Sequence, residues 1–263
     1  MSKISQLWDP IQIEPAQTLS LQLGPLNLWV HRGDNEWYVA HEYELQKEER
    51  FSIEISENDF PQDKTWTRWI VNDETDSIRL SPRLPDQPVI VRPEMPMSLL
   101  PKQSVQFFVG IPVWLTLSFG SGNLRSIEIP SVTLSKSWFG PVTAGELCYA
   151  LKTTAKLHQT DLLSHAHRAV FPLEIRNISS ETMSFERLCL RVQFLNVYRG
   201  KTRVWTNKGR VSYRGEENWS RVVYTGSAPE FDDAGQLLGT AREPVSRGMI
   251  LKTFDNLKQL ADI

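Results

Sequence analysis

Ile111-Pro-Val-Trp-Leu-Thr-Leu-Ser118, then Ser135-Lys-Ser-Trp-Phe-Gly140 and Gly145-Glu-Leu-Cys-Tyr-Ala-Leu151, decide the fold class. β-branched, leucine and aromatic residues fill these segments, and proline and glycine cut them. Such runs read as short strands joined by turns, not as helices. They contain no nucleophile elbow, metal cluster or phosphate loop, so they speak for a scaffold and not for a chemistry.

The same grammar extends in both directions. Residues 18–23 alternate, Gly24-Pro25 turns them into 26–31, and Arg32-Gly-Asp-Asn-Glu36 turns the chain again into 37–42. This is a meander by period and punctuation. The acidic stretch 45–61 reads as a short helix or an irregular excursion, and 64–71 as a strand. Gly120-Ser-Gly122 reads as a hairpin turn. Residues 156–168 break the rhythm and mark a domain boundary. Beyond it, short strands recur at sandwich spacing, with 183–193 as one strand and Asn207-Lys-Gly209 as a hairpin signal. Residues 249–260 carry apolar side chains at helical spacing, which predicts a terminal amphipathic helix. The expectation is an all-β protein of two packed, immunoglobulin-like β-sandwich domains, 1–160 and 161–263, with a short C-terminal helix.

Composition narrows the function classes. A chain of 263 residues with 40% hydrophobic and 23% charged residues can bury a core without disulfide or metal support. The net charge of −2 disfavours nucleic acid or an anionic membrane as partner of the whole molecule. No apolar run reaches the ~18 residues of a membrane span, and the first residues lack a signal-peptide core. Cys148 and Cys189, the only cysteines, sit in apolar strand-like runs and read as buried free thiols of a reducing compartment. The expected location is cytoplasmic, with no cofactor and no metal. Nine tryptophans read as core and turn clamps, with a sugar- or base-stacking platform as the sharper alternative.

Two constellations carry candidate chemistry. His158, His165 and His167 form a histidine cluster; a surface linker with incidental histidines outweighs a metal site there. Between 199 and 221, basic residues interleave with aromatics. Arg203, Trp205, Lys208, Arg210, Tyr213 and Arg214 are the candidate partner-binding residues. The same alternation also suits cation–π bracing of a sheet face.

Ser137-Trp-Phe-Gly140 with 145–151, Phe171-Pro-Leu-Glu-Ile-Arg-Asn177, Phe185-Glu-Arg-Leu-Cys-Leu-Arg191, and Val204-Trp-Thr-Asn207 with Tyr213-Arg-Gly215 resemble the domain-of-unknown-function family four-three-two of bacteria and archaea. The resemblance is firmest from about 89 to 224. It transfers no catalytic residue. It implies a soluble accessory protein of a mechanosensitive-type membrane channel. The leading expectation is therefore a non-catalytic interaction protein. A sugar-type binding module and a hydrolase using acidic residues are the alternatives.

Overall fold

The computed structural model describes residues 7–44, 50–57, 60–71, 75–120, 126–143, 145–215, 219–244, 249–252 and 254–255. The protein is all-β: 56% strand and 3% helix, and among the described residues no helix reaches seven residues. Among the described residues no helix is long and apolar enough to cross a membrane.

The chain builds two units. One comprises Met1–Arg83, Pro112–Thr133 and His165–His167; the other comprises Leu84–Ile111, Leu134–Ser164 and Arg168–Ile263. Each unit thus draws on three stretches of chain, whereas the sequence reading divides the chain once, between 160 and 161.

The first unit holds the meander. Its five-stranded antiparallel sheet runs Phe51–Glu57, Gln17–Leu23, Leu26–Arg32, Glu36–Tyr43, Thr67–Ile70. Alternation sets its buried face: Leu19, Leu21 and Leu23 pair with Val30, Leu28 and Leu26, all buried. Gly24-Pro25 closes this pair, with Gly24 at φ +60°. A Cβ on Gly24 would stand 2.5 Å from the ring of buried His167, so both conformation and space require glycine. The strand at Phe51–Glu57 replaces the helix or excursion expected over 45–61. Its partner strand Gln17–Leu23 has an open edge that only an extended segment satisfies.

The second unit carries a mixed eight-stranded sheet with Arg168–Asn177 at its centre. Ala169 and Val170 pair in parallel with Val204 and Trp205. Leu173 to Asn177 pair in parallel with Gly209 to Tyr213. The offset between partners grows from 35 (204 − 169) to 36 (209 − 173), so one extra residue is inserted at Asn207–Lys208. Asn207-Lys-Gly209 is therefore a bulge along one line of chain and not a hairpin. The cause is the Asn207 side chain, which is fully buried. Its Oδ1 accepts from Asn196 N at 2.8 Å, and its Nδ2 donates to the Thr225 carbonyl at 2.7 Å. These bonds replace the ladder bonds lost at the bulge.

The segment 183–193 also breaks, into Met183–Phe185, Arg187–Leu190 and a 3₁₀ turn at Val192–Phe194. Met249–Lys252 is a strand paired with Trp219–Tyr224, so the expected terminal helix does not begin at 249. Residues 256–263 lie outside the described residues.

Candidate functional site

The ribbon 199–221 lies entirely in the second unit, and local packing sorts its side chains into two kinds. On Gly209–Tyr213, period-two alternation buries Val211 and Tyr213 and turns Arg210 outward. Gly209 lies against Phe171, where a Cβ would come within 2.4 Å of the ring.

Arg203 and Trp205 serve the scaffold. Asp232 Oδ2 accepts from Thr202 N at 2.9 Å, Thr202 Oγ1 at 3.0 Å, Arg203 N at 3.1 Å and Trp205 Nε1 at 3.1 Å. Partial burial would raise this carboxyl, but the donors from Thr202, Trp205 and Arg203 together hold it below the usual aspartate range. The Arg203 guanidinium braces the carbonyls of Gln159 and Leu162. Trp205 is buried with Phe108, Leu162 and Val170 and stacks on Phe231 at 5.3 Å. Tyr213 is buried, with its hydroxyl donating to the Gly215 carbonyl at 3.2 Å.

Lys208 and Arg210 have the other fate. With Ser104, Gln106, Glu174 and Thr225 they line an open groove of about 390 Å³ on the outer face of the sheet. Pro172, Val105 and Val223 give it an apolar floor. Glu174 accepts from Arg176 at 2.6 Å and Arg210 at 2.7 Å. Burial raises its carboxyl, and the two guanidiniums more than reverse this, holding it below the usual range. It is therefore ionised at neutral pH and already occupied as an acceptor. Lys208 bonds Glu230 at 3.2 Å and lies over the Phe231 ring at 5.2 Å. Arg214 is exposed and outside the groove lining. Of the six residues singled out by sequence, the groove brings together Lys208 and Arg210. The alternation of 209–213 carried the signal for Arg210. The contributions of Gln106 and Glu174 come from strands distant in sequence, which no local pattern announces.

The histidines do not assemble a metal centre among the described residues. His158 is exposed in the second unit. His165 and His167 belong to the first, with ring centroids 5.3 Å apart. The tryptophans also fail to form a wall to this groove, which no aromatic residue lines.

A second polar cluster was missed in the sequence because its members stand on non-adjacent strands. Glu146 and Cys148 are on Glu146–Ala155, and Cys189 is on Arg187–Leu190; Val89–Pro93 runs between those strands in the same sheet. The two sulfurs are 3.8 Å apart, and Cys189 Sγ is 3.7 Å from Glu146 Oε1. Arg191 donates to Cys189 Sγ at 3.5 Å and also to Glu146 Oε1. Both cysteines are free and buried. The Cys148 contact and burial push the Cys189 thiol well above its ordinary value, so in this form it is an inert thiol.

A family model described as "Protein of unknown function (DUF432)" matches residues 7–258. The chain belongs to this family. The match spans stretches of both units. No curated protein and no solved structure matches the chain.

Proposed function

We propose that this chain is a non-catalytic interaction protein, built on two β-sandwich units and acting in the cytoplasm as an accessory of a mechanosensitive-type membrane channel. The observation that carries the reading is the groove. It is open, floored by apolar side chains and rimmed by Lys208 and Arg210, and its one carboxylate, Glu174, is taken up by two guanidiniums. Two guanidiniums hold this carboxylate ionised and lower its affinity for a proton, which speaks for docking and against acid–base chemistry. Its cations, Lys208 a third and Arg210 half exposed, match an acidic polypeptide segment of a partner. A sugar would ask for an aromatic wall that this groove lacks.

The test is capture of the tagged full chain, under mild crosslinking, from host membranes solubilised in detergent. The expected result is enrichment of a channel by the native chain and its loss with the Lys208→Glu/Arg210→Glu double variant. Equal capture by both would remove the groove from the reading. Enrichment of no membrane protein would remove the channel.

A further inference from the structure

We propose that Glu146, Cys148 and Cys189 form a binding site for a thiophilic divalent cation of the Zn²⁺ type, with Arg191 as its charge-balancing neighbour. The argument begins with distance. A tetrahedral zinc with Zn–S bonds of about 2.3 Å holds its two sulfurs about 3.8 Å apart. The Cys148 and Cys189 sulfurs already stand 3.8 Å apart. With a Zn–O bond of about 2.0 Å, each sulfur lies about 3.5 Å from the carboxylate oxygen. Cys189 Sγ lies 3.7 Å from Glu146 Oε1, and the three ligand atoms all fall within 4.8 Å of one another. The cysteines are fixed in the sheet, while the Glu146 side chain is about a third exposed and its Oε1 is paired with Arg191, so a cation bound here would take that oxygen over from the guanidinium. The exposure of Glu146 also gives the cation an entry path that two buried sulfurs alone would lack.

Charge supports the same assignment. Two thiolates, one carboxylate, one guanidinium and one divalent cation sum to zero formal charge. A buried cluster is stable only when so balanced. Arg191 thus opposes the cation less than it completes the set: its NH1 points at Cys189 Sγ, where it supports the anionic sulfur through an outer hydrogen bond. The competing use of two close cysteines is a disulfide. That bond needs the sulfurs at about 2.05 Å. Here they sit on strands separated by Val89–Pro93, so closing the bond would draw together two strands that are not neighbours. A cation bridges the gap as it stands.

The experiment is an anaerobic titration of the reduced, metal-free full chain with Co²⁺, followed by Zn²⁺. The expected result is a sulfur-to-cobalt charge-transfer band with the visible bands of tetrahedral cobalt, saturating at one equivalent and bleached by one equivalent of Zn²⁺. Cys148→Ser and Cys189→Ser should each lower Zn²⁺ affinity at least 100-fold in chelator competition. Arg191→Gln should lower it about 10- to 100-fold, the scale of outer-shell changes. Absence of the charge-transfer band in the native chain overturns the proposal, and this reading depends on no variant folding. Zn²⁺ binding that survives in the Cys148→Ser/Cys189→Ser double variant also overturns it, as does loss of both thiols to a disulfide in the chain as isolated. The Lys208→Glu/Arg210→Glu variant should keep the cobalt spectrum, which separates this site from the docking groove.

Discussion

The meander of the first unit and the central strand line of the second are both β-structure, but different information specifies them. Gln17–Leu23, Leu26–Arg32 and Glu36–Tyr43 are joined by tight turns, and each pairs with its chain neighbour. Within these three strands each partner lies across one tight turn, so local turn chemistry and alternation set that register, while Phe51–Glu57 and Thr67–Ile70 add the two edges from farther along the chain. Arg168–Asn177 instead lies between strands from elsewhere and pairs in parallel with 204–213. Side-chain hydrogen bonds brace this region: Asn207 at the bulge, Asn177 at the end of the central strand, and Asp232 against Thr202, Arg203 and Trp205. The comparison teaches that backbone conformation codes the first region and side-chain hydrogen bonding codes the second.

The largest expected effect tests the first half of that statement. Gly24→Val places a β-branched residue at φ +60° and drives its Cβ into the ring of His167. Conformation and overpacking together should cost about 3–5 kcal/mol. Urea melting measures the total, and hydrogen exchange should show lost protection centred on 17–32. A cost below 1 kcal/mol would mean that the turn is not what fixes this pair.

Asn207→Ala tests the second half. It removes both the acceptor for Asn196 N and the donor to the Thr225 carbonyl, and it empties the fully buried space that the Asn207 amide fills. The expected loss is about 2–3 kcal/mol. If Asn207→Ala proved nearly neutral, the bulge would be held by the backbone, and the two regions would not differ in kind.

These cases also show what was legible in the sequence. The meander could be read because 18–42 states its own turns. The fold class could be read because apolar runs cut by proline and glycine recur along the chain. The bulge could not: Asn-Lys-Gly has hairpin composition, and only the distant Asn196 and Thr225 decide that the chain runs straight on. Asn177-Ile-Ser179 has the spelling of a glycosylation acceptor, yet Asn177 is buried. Its Nδ2 donates to the Leu99 and Glu181 carbonyls at 2.9 and 2.7 Å. For the candidate site, alternation exposed Arg210. Nothing in sequence distinguished it from Arg203, whose role depends on Asp232 some 30 residues away.

A smaller effect comes from Asp232. Burial raises its carboxyl, but the donors of Thr202, Trp205 and Arg203 leave it below the usual aspartate value in the folded chain. A carboxyl lowered by folding contributes stability that is fully present above its unfolded value. That contribution is lost as pH falls through the folded one. Asp232→Asn should therefore lower stability by about 1 kcal/mol at neutral pH, after allowance for solvent screening. The difference from the native chain should shrink on acidification below about pH 4. A gap that stays constant to pH 2 would assign the loss to shape and not to charge.

The smallest stability effect, Arg210→Ala, sharpens the comparison into a statement about function. Arg210 shares Glu174 with Arg176, and its own side chain is 52% exposed. An exposed pair of this kind contributes less than about 1 kcal/mol, and Arg176 still holds the carboxylate when Arg210 is gone. The melting curve should hardly move. If the groove docks a partner as proposed, capture should weaken all the same, because a rim charge is lost while the sheet beneath it is intact. Asn207→Ala predicts the reverse pairing, with stability lost first and capture only as the fold goes. If Arg210→Ala melted the sheet as Asn207→Ala does, the groove rim would belong to the scaffold like Arg203, and the division between holding residues and presenting residues would fail at its most exposed point.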